Sequence, residues 1–147
     1  MKLLLAIVYC FTILSFPKWE QSFEKALQTA TEKKELVLLN FSGSDWCGPC
    51  MRMRKEIFDD ATFTAMADTS IIMVNADFPR NKKNQLEKKL KAQNEALADR
   101  YNPEGKFPFT LLLNAKGEIV KTWDGLPKET ASQFAVEIKK ICDDNRQ

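Results

Sequence analysis

Histidine is absent from all 147 residues, and that absence bears on how the cysteines are read. Zinc held by side chains needs about four ligands. Without imidazole the soft donors reduce to four cysteines, two of which, Cys10 and Cys142, lie far from the other pair in the sequence. No metal site is expected. Charge of one sign is also lacking: 22 Lys and Arg stand against 20 Asp and Glu, a formal net charge of +2, which gives no basis for binding nucleic acid. No flavin or nicotinamide motif appears, and nothing repeats internally. A hydrophobic run of the about 17 to 25 residues that cross a bilayer is missing too. The longest apolar stretch, Leu3 to Phe16, is shorter than that.

That stretch follows Lys2 and is interrupted only by Thr12 and Ser15, the pattern of a secretory leader. Residues 1–16 are expected to be a signal peptide or, because no clean A-x-A cleavage site follows, an uncleaved membrane anchor. Cys10 fits as a small apolar residue of the leader, since bulky Val8 and Tyr9 ahead of it argue against lipid attachment. Residues 17–147 then form one domain, long enough to bury a single core. Placement outside the cytoplasm, periplasmic or secreted, follows if the leader exports the chain.

The chemical centre is Cys47-Gly48-Pro49-Cys50. Leu36 to Phe41 is an apolar strand broken only by Asn40, and it empties into the polar loop Ser42 to Asp45. Pro49 suits the first turn of a helix, and Met51 to Phe58 carries strong helix formers. Cys47 thus sits at a helix N-terminus, where free N–H groups and the helix dipole favour a thiolate and should lower its pKa below the free value of about 8.5. Cys50, one turn on, is placed beneath it as the resolving thiol. A static structural disulfide is the plainer alternative; C-x-x-C beside a β/α pattern favours redox chemistry.

With Trp46, the C-G-P-C tetrad, Phe107-Pro108 before the strand Thr110 to Leu113, and Gly125 ahead of the last helix, the chain resembles the thioredoxin superfamily from about Trp19 to Ile141. The resemblance implies an α/β thioredoxin fold: a central mixed four-stranded sheet flanked by helices, with a helical insert before the proline-led strand. It implies a cis peptide at Pro108, facing the cysteines, with Phe107 and Pro108 as the substrate platform and Trp46, Gly48 and Pro49 as the active-site loop. Physically, a proline heading a strand removes an N–H from the ladder, and the cis form of X-Pro lies only about 0.5–1 kcal/mol above trans.

Two departures from the thioredoxin pattern stand out. Asn40 occupies the place of a buried aspartate, and the accompanying lysine would fall at Met73, so acid and base are missing together. An unpartnered buried charge costs several kcal/mol, whereas a hydrogen-bonded amide costs far less. The proton leaving Cys50 is then expected to pass to water or to the departing thiolate. The loop before Trp46 is also one residue longer, and Asp45 brings negative charge toward Cys47 against the support of Arg52, Arg54 and Lys55.

Elsewhere Trp19, Phe23, Leu27 and Ala30 recur at helical spacing, Ile71 to Ala76 forms a second strand, and Asn114 to Gly117 marks a hairpin between Leu111–Leu113 and Ile119–Trp123. Ala131 to Ile141 closes the domain as a helix in which Cys142 packs as a small hydrophobe. Leu86, Leu90, Leu97 and Tyr101 predict a helix over Lys82 to Tyr101, its Lys-rich face solvated or open to an acidic partner.

The expected function is thiol-disulfide exchange, with Cys47 as nucleophile and no cofactor beyond the Cys47/Cys50 pair. The Gly-Pro spacer resembles that of reducing thioredoxins and points to a disulfide reductase; an oxidase or isomerase of the same fold and a non-catalytic binding or chaperone module are the alternatives. Protein disulfides are the substrates, a membrane-embedded thiol donor supplies electrons if the chain is exported, and a monomer is expected.

Overall fold

A computed structural model describes residues 18–146, so the leader assigned to residues 1–16 lies outside the described part. Four strands order as β2-β1-β3-β4, with β1 (Leu36–Ser42) parallel to β2 (Ile71–Asp77) and antiparallel to β3 (Phe109–Leu113), which pairs antiparallel with β4 (Ile119–Asp124). The mixed sheet is the one expected.

Every residue of β1 is buried, as a central strand covered on both faces requires. Alternation splits it: Val37, Leu39 and Phe41 meet Ala26 and Ala30 of α1 (Phe23–Lys33) and Leu97 and Tyr101 of α4 (Lys88–Tyr101). Leu36 and Leu38 face the other layer, built from α2 (Gly48–Met53), the π-helical turn Arg54–Phe58, α3 (Ala61–Ser70) and α5 (Ala131–Asp144). Cys142 is 1% exposed in that second core, the packing role expected of it, and burial pushes its thiol up to about 11. At the hairpin, Gly117 adopts φ +77 beside the Tyr101 hydroxyl, which donates to the Gly117 carbonyl at 2.8 Å.

Two expected helices begin later than their spacing suggests. Ser22 caps α1 by accepting from the Lys25 N–H, so Trp19 stays extended, bridges Met73 in parallel and packs edge-on against Phe58 in the opposite layer from α1. The expected Lys82–Tyr101 helix is instead a 3-10 turn, Lys82–Asn84, then extended residues, then α4. The Asn81 side chain caps that short turn and Asn84 bonds Asp45, local alternatives that compete with helix. The predicted Met51–Phe58 helix changes pitch midway, where the Asp59 N–H reaches back to the Arg54 carbonyl. α3, capped by Asp60, had no clear sequence counterpart because its apolar face is short.

Candidate active site

Cys47 and Cys50 form a disulfide with Cα atoms 5.2 Å apart. Cys47 is the N-cap of α2, where its sulfur accepts the Cys50 backbone N–H at 3.2 Å. Pro49 sits in the first turn of α2, where no N–H partner is lost. Gly48 and Pro49 form the exposed tip, while each cysteine is only 5% exposed. The pair therefore lies just under the surface, and less openly than the sequence suggests.

An aromatic wall stands beside it. Trp46 meets Phe107 edge-on at 5.3 Å, Phe107 meets Phe78 at 5.6 Å, and the Trp46 indole N–H donates to the Phe78 carbonyl at 2.8 Å. The Arg80 guanidinium lies 3.7 Å from the centre of the Trp46 ring, a cation-π contact. Phe107-Pro108 is a cis peptide, and among the described residues the Phe107 backbone makes no hydrogen bond. Phe78 and Arg80 were not picked out from sequence, because nothing local marks a residue that completes a wall built from another loop.

Gly43 permits this arrangement. A Cβ there would lie 2.2 Å from the Trp46 ring, closer than any real contact. Gly43→Ala should therefore displace Trp46 and blue- or red-shift its fluorescence while leaving the helical circular dichroism in place. An unchanged Trp46 environment would show that the backbone at residue 43 yields in place of the ring.

Asp45 is held in place by the segment that follows β2. Its carboxylate accepts the Arg80 and Asn81 backbone N–H groups, both at 2.9 Å, and the Asn84 amide at 3.0 Å. The Arg80 N–H first, then the Asn84 amide, hold its pKa below the ordinary 3.8. A carboxyl depressed in the fold lends stability above its unfolded pKa and loses it as pH falls through the folded value. Acidification below about pH 4 should therefore loosen the 80–84 segment, seen as faster amide exchange at Arg80 and Asn81 than in the sheet.

Under the dithiol, polar side chains cross the sheet. Thr110 Oγ1 donates to Asn40 Oδ1 at 2.9 Å, Asn40 Nδ2 to Asn75 Oδ1 at 2.8 Å, and Asn75 Nδ2 to Ser42 Oγ at 3.1 Å. Ser42 Oγ lies 3.2 Å from Asp77 Oδ1, and Asp77 also accepts the Ser44 N–H and hydroxyl. The residue beside Asn40 on β2 is thus Asn75, whereas Met73 pairs with Leu38 and sits in the apolar core. A cavity of about 180 Å³ opens next to this ladder, lined by Cys50, Asn40, Ser42, Asn75, Arg54 and Lys55 among others.

The flanking cations are largely engaged. Arg52 pairs with Glu56 at 3.0 Å, and Arg54 pairs with Asp59 at 2.7 Å while lying over the Trp19 ring. Among the described residues no cluster of three or more His, Cys, Asp or Glu is placed to hold a metal, and no helix is long and apolar enough to cross a membrane.

Residues 18–115 match the Thioredoxin-like family. The chain is similar to the disulfide bond reductase DsbH of Chlamydia pneumoniae, 32% identical over 101 residues, covering 69% of this chain and 58% of the relative. It is also similar to the thioredoxin-related protein DsbJ of Chlamydia pneumoniae, 27% identical over 125 residues, or 85% of this chain and 35% of that one. The chain therefore spans less than two thirds of either curated relative. Among solved structures, a DsbH oxidoreductase superposes with a TM-score of 0.79 at 25% identity, covering 88% of this chain and 86% of the other. Sheet order, the dithiol at the head of α2 and the family match agree: the chain belongs to the thioredoxin-like family.

Proposed function

We propose that the protein is a thiol-disulfide oxidoreductase that reduces protein disulfides outside the cytoplasm. The observation that carries this reading is the Cys47–Cys50 pair at the start of α2, with the Cys50 N–H donating to the Cys47 sulfur. A donor aimed at that sulfur favours its thiolate, the attacking species.

In the reduced enzyme the Cys47 thiolate attacks one sulfur of a client disulfide, and the other client sulfur leaves as a thiolate. Cys50 then attacks Cys47, the client's second sulfur departs, and the Cys47–Cys50 disulfide of this structure is the product. Two electrons have moved from protein to client. No cofactor is needed, but a thiol donor must restore the dithiol; a membrane-embedded one suits export by the leader. Phe107 offers its unbonded backbone to an extended client segment, Pro108 sets the turn beside it, and Trp46 flanks it. The reducing direction is supported by the Gly48-Pro49 spacer and by the similarity to a protein named a disulfide bond reductase.

Blocking the second step should trap clients. The Cys50→Ala protein, expressed with its leader, is expected to accumulate mixed disulfides through Cys47 that dithiothreitol releases. If none form while the folded domain is present, the reductase reading fails.

A further inference from the structure

The side-chain ladder beneath Cys50 has a direction, and the direction is set by charge. Asp77 can only accept hydrogen bonds when ionised, so the Ser42 hydroxyl 3.2 Å away must donate to it. Asn75 Oδ1 lies equally far from Ser42 Oγ, but one proton cannot serve both, and the charged acceptor makes the stronger bond. Ser42 Oγ is then left to accept from the Asn75 amide nitrogen at 3.1 Å, and the Asn75 oxygen accepts from Asn40 Nδ2 at 2.8 Å. Asn40 thus presents its nitrogen to Asn75. The buried Thr110 hydroxyl donates to Asn40 Oδ1 at 2.9 Å, in keeping with the same orientation from the other side.

An amide nitrogen carries two hydrogens, and Asn75 takes one. Among the described residues nothing accepts the other, and Asn40 shares the cavity of about 180 Å³ with Cys50. That volume is several times the share of one water, so a donor can act on the sulfur directly or through solvent. We propose that Asn40 is a positioning donor for Cys50: its spare N–H, oriented by Asp77 through Ser42 and Asn75, stabilises the Cys50 thiolate in the resolving step. This rests on the thiol-exchange reading above. In that step the Cys50 thiol loses its proton to cavity water, its sulfur bonds to Cys47, the Cys47–client bond breaks, and the departing client thiolate takes up a proton from water. Asn40 neither gains nor loses one; it makes the transient charge tolerable where a buried base is missing.

Other charges bear on the same sulfur. Arg54 and Lys55 line the cavity from the helix side, and Arg54 is paired with Asp59. Lys91 and Glu95 of α4 share a shallow pocket with Asp77 at the ladder's far end.

The test is the pH midpoint at which a small neutral alkylating reagent modifies Cys50 in the reduced, full-length Cys47→Ser protein, read peptide by peptide with mass spectrometry. Adding Asn40→Ala should raise the midpoint by about one unit, a tenfold loss of thiolate near neutrality. Asp77→Ala separates the ladder from plain charge effects. Deleting a nearby carboxylate would by Coulomb's law lower the midpoint, whereas losing the ladder's anchor raises it. Ser42→Ala, which keeps the carboxylate, should also raise it and serves if Asp77→Ala does not fold. An unmoved midpoint in folded Asn40→Ala, or a fall in Asp77→Ala, overturns the proposal. Because the readout needs no client, absent turnover with shifted midpoints would remove only the proposed function. Normal turnover with unshifted midpoints would remove only the role of Asn40.

Discussion

Cys47→Ser is expected to lower insulin-disulfide reduction by on the order of 10³-fold or more, to the rate of dithiothreitol alone, without altering the fold. A serine hydroxyl is scarcely ionised at neutral pH, and the Cys50 N–H that donates to the sulfur cannot make it so. Cys50 cannot substitute. It lies one turn along α2 on the cavity side of the helix, and in the variant the mixed disulfide it would make has no second thiol placed to resolve it. Equal precipitation rates for the two proteins would mean that the groove beside Trp46 and Phe107 binds without turnover, and the alternative of a binding module would stand.

The largest loss of stability is expected at Phe134. Its ring is fully buried, stacks on Phe63 at 6.1 Å and meets Trp123 edge-on at 5.1 Å, so it joins α5 to both α3 and β4. Phe134→Ala removes that contact and leaves a hole that three elements would have to close together. A cost of about 3–5 kcal/mol is expected, against a total of about 5–15 kcal/mol for a domain of this kind. Urea unfolding measures it directly. A change below about 1 kcal/mol would mean that the second core collapses freely around the gap.

What could be seen in the sequence followed how locally each feature is encoded. The apolar run Leu36 to Phe41, the hairpin at Asn114 to Gly117 and the closing helix from Ala131 each carry their pattern within a few neighbours, and the structure places all three where the pattern puts them. The dithiol was legible for the same reason, since its tetrad is contiguous. Trp19 misled because its spacing to Phe23 is helical, while the Ser22 cap between them ends that continuity. Lys82 to Leu86 misled because Asn81 and Asn84 spend their side chains on a turn and on Asp45. The ladder was least visible of all. Asn40 stood out as a missing acid, but its partner depends on the register of β1 against β2, which aligns Asn40 with Asn75 and leaves Met73 opposite Leu38.

The two margins of the sheet are finished differently, and this bears on how the protein resists aggregation. Along β2 the Trp19 bridge and the Glu20 N–H donated to Met73 at 2.7 Å occupy part of the rim. Among the described residues the outer side of β4 has no such cover; most of its residues are exposed, with Lys121 and Asp124 charged within a short strand. Charge on a brief free rim discourages a foreign chain from annealing to it. Under the proposed function, an uncharged β4 would offer extended polypeptides a template for fibrous growth, and the charges it carries oppose that route.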